Sequence, residues 1–173
     1  MQIKIRAEKK EDFNTIYQLA ALAFGQEDES RLIDLLRKDE CFIPALSLVA
    51  VDGEKLVGHI LFTKISIVDQ EGRSHISLAL APMAVLPDYQ RKGIGGQLIR
   101  QGLGIARDLG YSSVIVLGHK DYYPKFGFEP AEKWKIRTHY EVPSDYFMGL
   151  ALVPDGLEGV SGMVEYSPPF DQI

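Results

Sequence analysis

The sequence predicts a single α/β domain over residues 1–173, with a mixed, mostly antiparallel central sheet flanked by helices. Three features predict it. Helix-spaced and strand-textured segments alternate irregularly instead of repeating as βαβ units. The turn signatures DGEK and DQEGRS join three consecutive apolar runs into an antiparallel meander. Beyond the meander, a glycine-rich string, LPDYQRKGIGGQLI (Leu86 to Ile99), leads into a helix. After that helix comes SSVIVLG, a continuous β-branched run that suits a strand buried on both faces.

Taken in order, IKIR (Ile3 to Arg6) alternates and reads as a short first strand. From Lys9 to Phe24 the apolar residues Phe13, Ile16, Tyr17, Ala20 and Phe24 fall at i, i+3, i+4, i+7 spacing, which predicts an amphipathic helix. A second helix follows from about Asp28 to Lys38, with Leu32, Ile33, Leu35 and Leu36 inward. The meander spans about Pro44 to Val85. The helix after the glycine string runs from about Gly93 to Leu109, with Ile94, Leu98, Ile99, Ala106 and Leu109 available for burial. YYPKFGF, after the buried strand, predicts a short helix and a turn. From Trp134 onward, YFMGLAL and SGMVEY read as strands and YSPPF as a terminal loop.

The composition is 46% apolar and 25% charged, that of a globular domain able to bury a core. A net charge of -5 argues against broad nucleic-acid binding, which needs a basic face. No apolar run approaches the roughly 20 residues of a membrane helix. The opening MQIKIRAEKKEDF holds no apolar signal region. The lone Cys41 cannot form an internal disulfide. A cytoplasmic protein with neither a nucleic-acid nor a membrane partner is the expectation. His59, His75, His119 and His139 show no metal-ligand spacing, so no metal is expected. Cys41, between a charged helix end and a strand, reads as a structural thiol and not a nucleophile.

The glycine string poses the functional question. Glycine inside a helix costs about 1 kcal/mol relative to alanine, yet Gly93, Gly95 and Gly96 stand at a helix start. A nucleotide P-loop, GxxxxGK followed by Ser or Thr, is absent. A dinucleotide fingerprint, GxGxxG, is met at Gly93 and Gly95 but fails at Leu98, and no acid follows about 20 residues on. Two readings remain. One is close packing of the helix on the sheet. The other is a pyrophosphate cradle: unpaired N–H groups and the positive helix end attract an anion, and glycines let it approach. Arg91 and Lys92 then add charge at an end where cations are otherwise unfavourable.

At this point the string resembles a known motif. QRKGIG (Gln90 to Gly95) fits the Q/R-x-x-G-x-G/A signature of the GNAT N-acetyltransferase superfamily. The element order, the lead-in VLPDYQRKGIG and the later YYPKFGF, similar to the family's FYEKxGF, extend the resemblance over almost the whole chain. The segment from LAPMAV to YYPKFGF resembles one branch in particular, acetyltransferases of mostly unassigned substrate. The resemblance implies a GNAT-like sheet with a splayed strand pair and acetyl-CoA as the acetyl donor. It implies direct transfer to a primary amine of a small molecule or protein. The donor's pyrophosphate would lie on the backbone of Arg91, Lys92, Gly93, Ile94, Gly95 and Gly96, with Gln90 opening the loop.

Met83, Ala84 and Val85 would then offer strand backbone to the pantetheine arm. An N–H near Met83 would polarise the thioester carbonyl. Pro82, which lacks an N–H, independently predicts broken pairing there. Tyr123 falls where the family's general acid protonates the departing thiolate, and a phenol is protonated at neutral pH. Tyr122 would pack or line the CoA channel. For the base, His119, His75, Glu54 and a water chain all stay open, and FMGLAL offers no carboxylate. A homodimer is implied by family habit alone. A non-catalytic acyl-CoA-binding sensor or regulatory protein is the alternative; it would keep the loop without needing Tyr123. No motif identifies the acceptor.

Overall fold

The computed structural model describes residues 1–172. Strand β1 (Ile3–Ala7) is followed by helices α1 (Phe13–Phe24) and α2 (Asp28–Arg37). The meander is β2 (Phe42–Asp52), β3 (Lys55–Val68) and β4 (Ser74–Val85). Helix α3 (Ile94–Asp108) leads to β5 (Ser113–Leu117). Short strands β6 (Glu129–Pro130) and β7 (Ile136–Arg137) precede β8 (Phe147–Ala151) and β9 (Gly162–Glu165). The sheet runs in the order β1-β2-β3-β4-β5-β8-β6. Along that path only β4 and β5 pair in parallel. Parallel neighbours need a crossover, and α3 supplies it. This is the mixed, mostly antiparallel architecture that the sequence predicts.

Strand β3 is the longest, at 14 residues. Its pairing with β2 ends at Thr63 opposite Phe42. Further on, Ser66–Val68 pairs instead with Glu165–Met163 of β9. Gly162 permits that approach, because a Cβ there would stand 2.0 Å from the Val68 carbonyl oxygen.

Helix α3 covers one face of the sheet. Its Ile94, Leu98, Ile99 and Ala106 are buried on Leu48, Ile60, Phe62, Leu78 and Val114. The packing requires Gly102, where a Cβ would lie 2.2 Å from the Phe62 ring. The other face carries α1 and α2, with Ile16, Ala20, Ile33 and Leu36 on Val49, Val51 and Leu61. Further along that face, C-terminal segments cover Ile65, Ile67, Ala79 and Ile115.

Several boundaries differ from the sequence reading. Residues Lys10–Asp12 form a 3-10 turn before α1, where the Asp12 carboxylate accepts from the Lys9 N–H at 2.7 Å and pairs with Arg6. The buried stripe of α1 is Ile16, Leu19 and Ala20. Phe24, expected inward, is exposed on the last turn, and a left-handed Gly25 ends the helix beside it. Leu109 is exposed as well, because α3 ends at Asp108. The expected terminal loop contains a 3-10 turn, Pro168–Gln172. Ile173, the last residue of the expected domain, lies outside the described residues. No helix among the described residues is long and apolar enough to cross a membrane. No group of three or more His, Cys, Asp or Glu among them could hold a metal ion.

Candidate active site

The site begins with a divergence of strands. β4 and β5 pair only at Leu78 with Val114 and Ala79 with Ile115. Beyond that point β4 continues to Val85 and β5 to Leu117 without pairing. The cause is local. Between Ile60↔Met83 and Phe62↔Leu80, two steps of β3 span three of β4. The extra residue is a bulge at Ala81–Pro82, where Pro82 has no N–H for a ladder and follows a cis peptide bond. The broken pairing expected at Pro82 is therefore a bulge, and the strand itself continues. Leu117 and Gly118 bound the other side of the gap, and the Gly118 N–H donates to the Tyr146 carbonyl at 2.9 Å.

On the α3 face the gap opens into a cleft of about 470 Å³. One wall is Met83, Val85 and Tyr89; the loop residues Gln90, Arg91, Gly93, Ile94, Gly95 and Gly96 form the next, and Tyr122 and Lys125 close it. Arg91 and Gly93 have φ of +64° and +83°. Left-handed residues in a loop turn successive N–H groups into an anion-binding concavity. No side chain caps α3, so its first-turn amides remain available to a ligand. A Cβ at Gly95 would stand 3.0 Å from the Tyr122 hydroxyl and 3.4 Å from Met83 Cε. Glycine there keeps open the point where helix, strand and aromatic turn converge. Arg91 and Lys125 charge the lining, which contains no acidic side chain.

Each expected donor-binding residue can be placed. Gln90 donates from Nε2 to the Val85 carbonyl at 3.0 Å, tying the loop to the end of β4. Met83 and Val85 face the cleft. Ala84 between them is buried on the other side, opposite His59, and has only its backbone to offer. Lys92 does not line the cleft; its Nζ lies 5.4 Å from the centre of the Tyr89 ring. Two lining residues were missed by the sequence reading. Tyr89, whose hydroxyl donates to Asp52 at 3.1 Å, sits inside the recognised lead-in string. Lys125 is brought round by the 3-10 turn Tyr123–Phe126.

Tyr123 is only 9% exposed. Its ring lies against Gly118, where a Cβ would come within 2.2 Å of it. It meets Tyr122 and Phe128 edge-on at 5.1 and 5.6 Å. Burial, aided by Tyr122, pushes its phenol up to about 12. Tyr122 is the tyrosine that lines the cleft, and burial raises its phenol too. The structure thus sets the two side by side, one in the core against the β5 arm of the gap and one in the cleft.

The base candidates separate by reach. His75 lies at the far end of β4 beside Asp69, at 3.8 Å. At about 3.3 Å per strand residue it is roughly 26 Å from Met83. Glu54 is exposed in the β2–β3 turn. His119 follows β5 beside the gap, where its Nδ1 accepts from the Asp121 N–H at 3.1 Å and its ring meets Tyr146 edge-on. Burial pushes the Cys41 thiol up to about 11, so it holds no thiolate nucleophile at neutral pH.

With this geometry in place, comparison with known proteins is direct. The family model described as an acetyltransferase (GNAT) domain matches residues 4–131. The chain is 43% identical over 138 residues to the uncharacterized N-acetyltransferase YjhQ of Escherichia coli K12, covering 79% of this chain and 76% of that protein. It is 34% identical over 169 residues to the uncharacterized N-acetyltransferase YhbS of the same organism, covering 97% and 98%. The crystal structure of Escherichia coli YhbS in complex with CoA superposes with a TM-score of 0.91 at 31% identity, over 99% of this chain and 93% of that one. A GNAT family acetyltransferase from Brucella melitensis in complex with acetyl-CoA gives 0.80 at 33% identity, over 98% and 99%. The chain belongs to the GNAT acetyltransferase family.

Proposed function

We propose that the protein moves the acetyl group of acetyl-CoA directly to a primary amine, with the donor in the α3-face cleft. The observation that carries this reading is the cradle itself. Left-handed Arg91 and Gly93, an uncapped helix start and the space kept by Gly95 meet in one charged cleft beside an unpaired strand arm. The CoA and acetyl-CoA bound to the two superposed relatives support the donor's identity. The lone, buried Cys41 goes with a cytoplasmic setting.

In this reading the pantetheine arm pairs with the backbone of Met83, Ala84 and Val85 across the gap. An N–H near Met83 polarises the thioester carbonyl. The amine nitrogen attacks the carbonyl carbon, a C–N bond forms, and the C–S bond breaks. The proton that the nitrogen gives up balances the one that the sulfur takes. Tyr123, against the Gly118 arm of the gap, serves as the proton donor to the departing sulfur. At about 12 its phenol is loaded at any working pH. As charge develops on the sulfur Tyr123 gives it a proton, and the proton released by the attacking nitrogen restores the balance. The exposure of Tyr122 to the cleft favours a second reading, in which Tyr122 is the donor.

The test is the thermal-unfolding midpoint with and without acetyl-CoA, beside Gly95→Glu. A ligand at 100 times its dissociation constant adds about 2.7 kcal/mol, a rise of roughly 5–10 °C for a chain of this size. A rise in the wild type that vanishes in Gly95→Glu, with the unliganded midpoints alike, is the expected result. No rise at millimolar acetyl-CoA would overturn the reading.

A further inference from the structure

The cradle accounts for Gly93 by its left-handed turn and for Gly95 by the open space beside Met83, but it leaves Gly96 without a reason. Gly96 is buried in the first turn of α3. A Cβ there would stand 3.3 Å from Arg100 Nη1 and 3.4 Å from the Phe126 ring, so any side chain at this position would crowd that pair. Arg100 is on the next turn of α3, and a helical side chain leans back toward the N-terminus, here over Gly96. Its guanidinium carbon lies 4.9 Å from the centre of the Phe126 ring. Phe126 in turn meets Tyr122 edge-on at 5.3 Å, and Tyr122 lines the donor cleft. The space above Gly96 is thus taken by a cation mounted on an aromatic ring at the rim of the cleft.

Arg100 is exposed and has no ion-pair partner among the described residues, whereas Arg107, two turns further along α3, lies 3.8 Å from Asp108. Burial raises the Tyr122 phenol and the Arg100 charge offsets part of that rise, so its field reaches the cleft. The two glycines also give the cleft a direction. Position 95 faces Met83 and the Tyr122 hydroxyl; position 96 faces Arg100 and Phe126. With a pyrophosphate on the amides between them, the pantetheine arm leaves past Gly95 toward β4, and the adenosine end leaves past Gly96. CoA carries a 3′-phosphate on that adenosine, a monoester with roughly two negative charges at neutral pH. In this arrangement the amides at the helix start serve the pyrophosphate, and the second anion needs a side chain. A guanidinium stacked on a ring keeps its fork oriented and presents two parallel donors to a phosphate.

Resting on the acetyltransferase reading, we propose that Arg100, mounted on Phe126 over Gly96, binds the adenosine 3′-phosphate of the donor and makes the protein select CoA thioesters over their 3′-dephospho counterparts. Gly96 is then a glycine because the donor's adenosine end is held by a side chain from the next turn, which needs the space that a Cβ would fill.

The proposal is tested by calorimetric titration of CoA and of 3′-dephospho-CoA into wild-type protein, Arg100→Gln and Arg107→Gln. The readout is binding, so it needs no acceptor. Wild type is expected to bind CoA about tenfold more tightly than 3′-dephospho-CoA, the low end of a charge-assisted hydrogen bond. Arg100→Gln should erase that preference by weakening CoA alone. Arg107→Gln removes the same charge further along the helix and should keep the preference. Equal affinity of the two ligands for wild type, a preference that survives in Arg100→Gln, equal weakening of both ligands by that change, or an equal loss in Arg107→Gln overturns the proposal. A wild-type protein that binds neither ligand overturns the acetyltransferase reading instead, so the two failures are distinguishable.

Discussion

The donor cleft and a cavity of about 600 Å³ on the sheet's other face are built in opposite ways. The donor cleft comes largely from one continuous stretch, Met83 to Gly96, and its chemistry is backbone chemistry: left-handed residues, an uncapped helix and missing Cβ atoms. The cavity opposite is assembled from side chains of Glu132 to Phe147 with Met163 from β9. A ligand held by amides demands glycine at particular positions, and so leaves a pattern in the chain. A ligand held by side chains demands only that suitable groups arrive together, which the fold arranges over distance.

The largest effect should come from the residue at the hinge of that comparison. Tyr123→Phe is expected to lower kcat by about 10²–10⁴-fold, the span typical of proton-transfer groups. The midpoint rise with acetyl-CoA should stay intact. Tyr122→Phe is expected to disturb donor affinity more than kcat, since Tyr122 touches the cleft. Stopped-flow or steady-state thiol release reads both. A reversed ranking moves the proton donor to Tyr122. Full activity in both variants leaves the acyl-CoA sensor as the better description.

The same contrast explains what the sequence disclosed. Gly93, Gly95 and Gly96 were legible because glycine at a helix start costs propensity, Gln90 through the motif it opens, and Pro82 because it cannot join a ladder. The meander was legible from its turn residues. Tyr89 and Lys125 were not, because an aromatic and a lysine in those positions serve many purposes, and only the 3-10 turn at Tyr123–Phe126 carries Lys125 to the cleft. Phe24 was misplaced because the apolar spacing continues to the end of the helix, while packing against α2, β3 and β4 selects Ile16, Leu19 and Ala20. Arg137 and Lys135 left no local signal at all. Arg137 meets Met163 only because β7 pairs with β9, and both cations share a cavity with Phe147.

The faces also differ in how they are held, and pH exposes this. Under α3 the core is apolar. On the other face Arg37 binds the Glu8 carboxylate through Nε and Nη2 at 2.9 and 3.0 Å, both side chains nearly buried. His59, kept neutral by burial, lies 3.6 Å from Glu8 and 2.9 Å from Ser47 Oγ. Burial alone would push the Glu8 carboxyl up, but His59, Arg37 and Ser47 outweigh it and hold it at about 2. An unfolded chain restores a value near 4.3. The folded value is the lower one, so the stabilisation is complete above the unfolded value and drains away as pH falls toward 2. Glu8→Gln should lose on the order of 3 kcal/mol at pH 7, with Asp34 left as the Arg37 partner at 2.9 Å. Its stability should also fall less steeply between pH 5 and 3. Urea unfolding at both pH values checks this. Wild-type acid sensitivity persisting in the variant would place its source elsewhere.

Two glycines of α3 separate close packing from open space. Gly102→Ala puts a methyl 2.2 Å from Phe62, a fully buried ring. Overpacking of that kind costs about 1–3 kcal/mol. Gly104 has nothing within 4 Å of its would-be Cβ, so Gly104→Ala should stabilise by about 0.4–1 kcal/mol. Opposite signs in denaturant midpoints would show that the α3 glycines serve different ends, Gly102 being required by Phe62 and Gly104 by no neighbour. Two stabilising results would mean that Phe62 yields easily, and would weaken the packing account of Gly102.

The smallest effect belongs to Lys125. It lines the cleft, and its Nζ lies 5.4 Å from the centre of the Tyr122 ring. An exposed charge facing a phosphate contributes about 1 kcal/mol or less, so Lys125→Ala should weaken acetyl-CoA by at most roughly fivefold. The difference from wild type should shrink as salt rises, because exposed charges are screened. A loss of donor affinity much larger than fivefold, or one that persists at high salt, would make a side chain a main holder of the donor, and the contrast between a backbone-read cleft and a side-chain-built cavity would no longer hold.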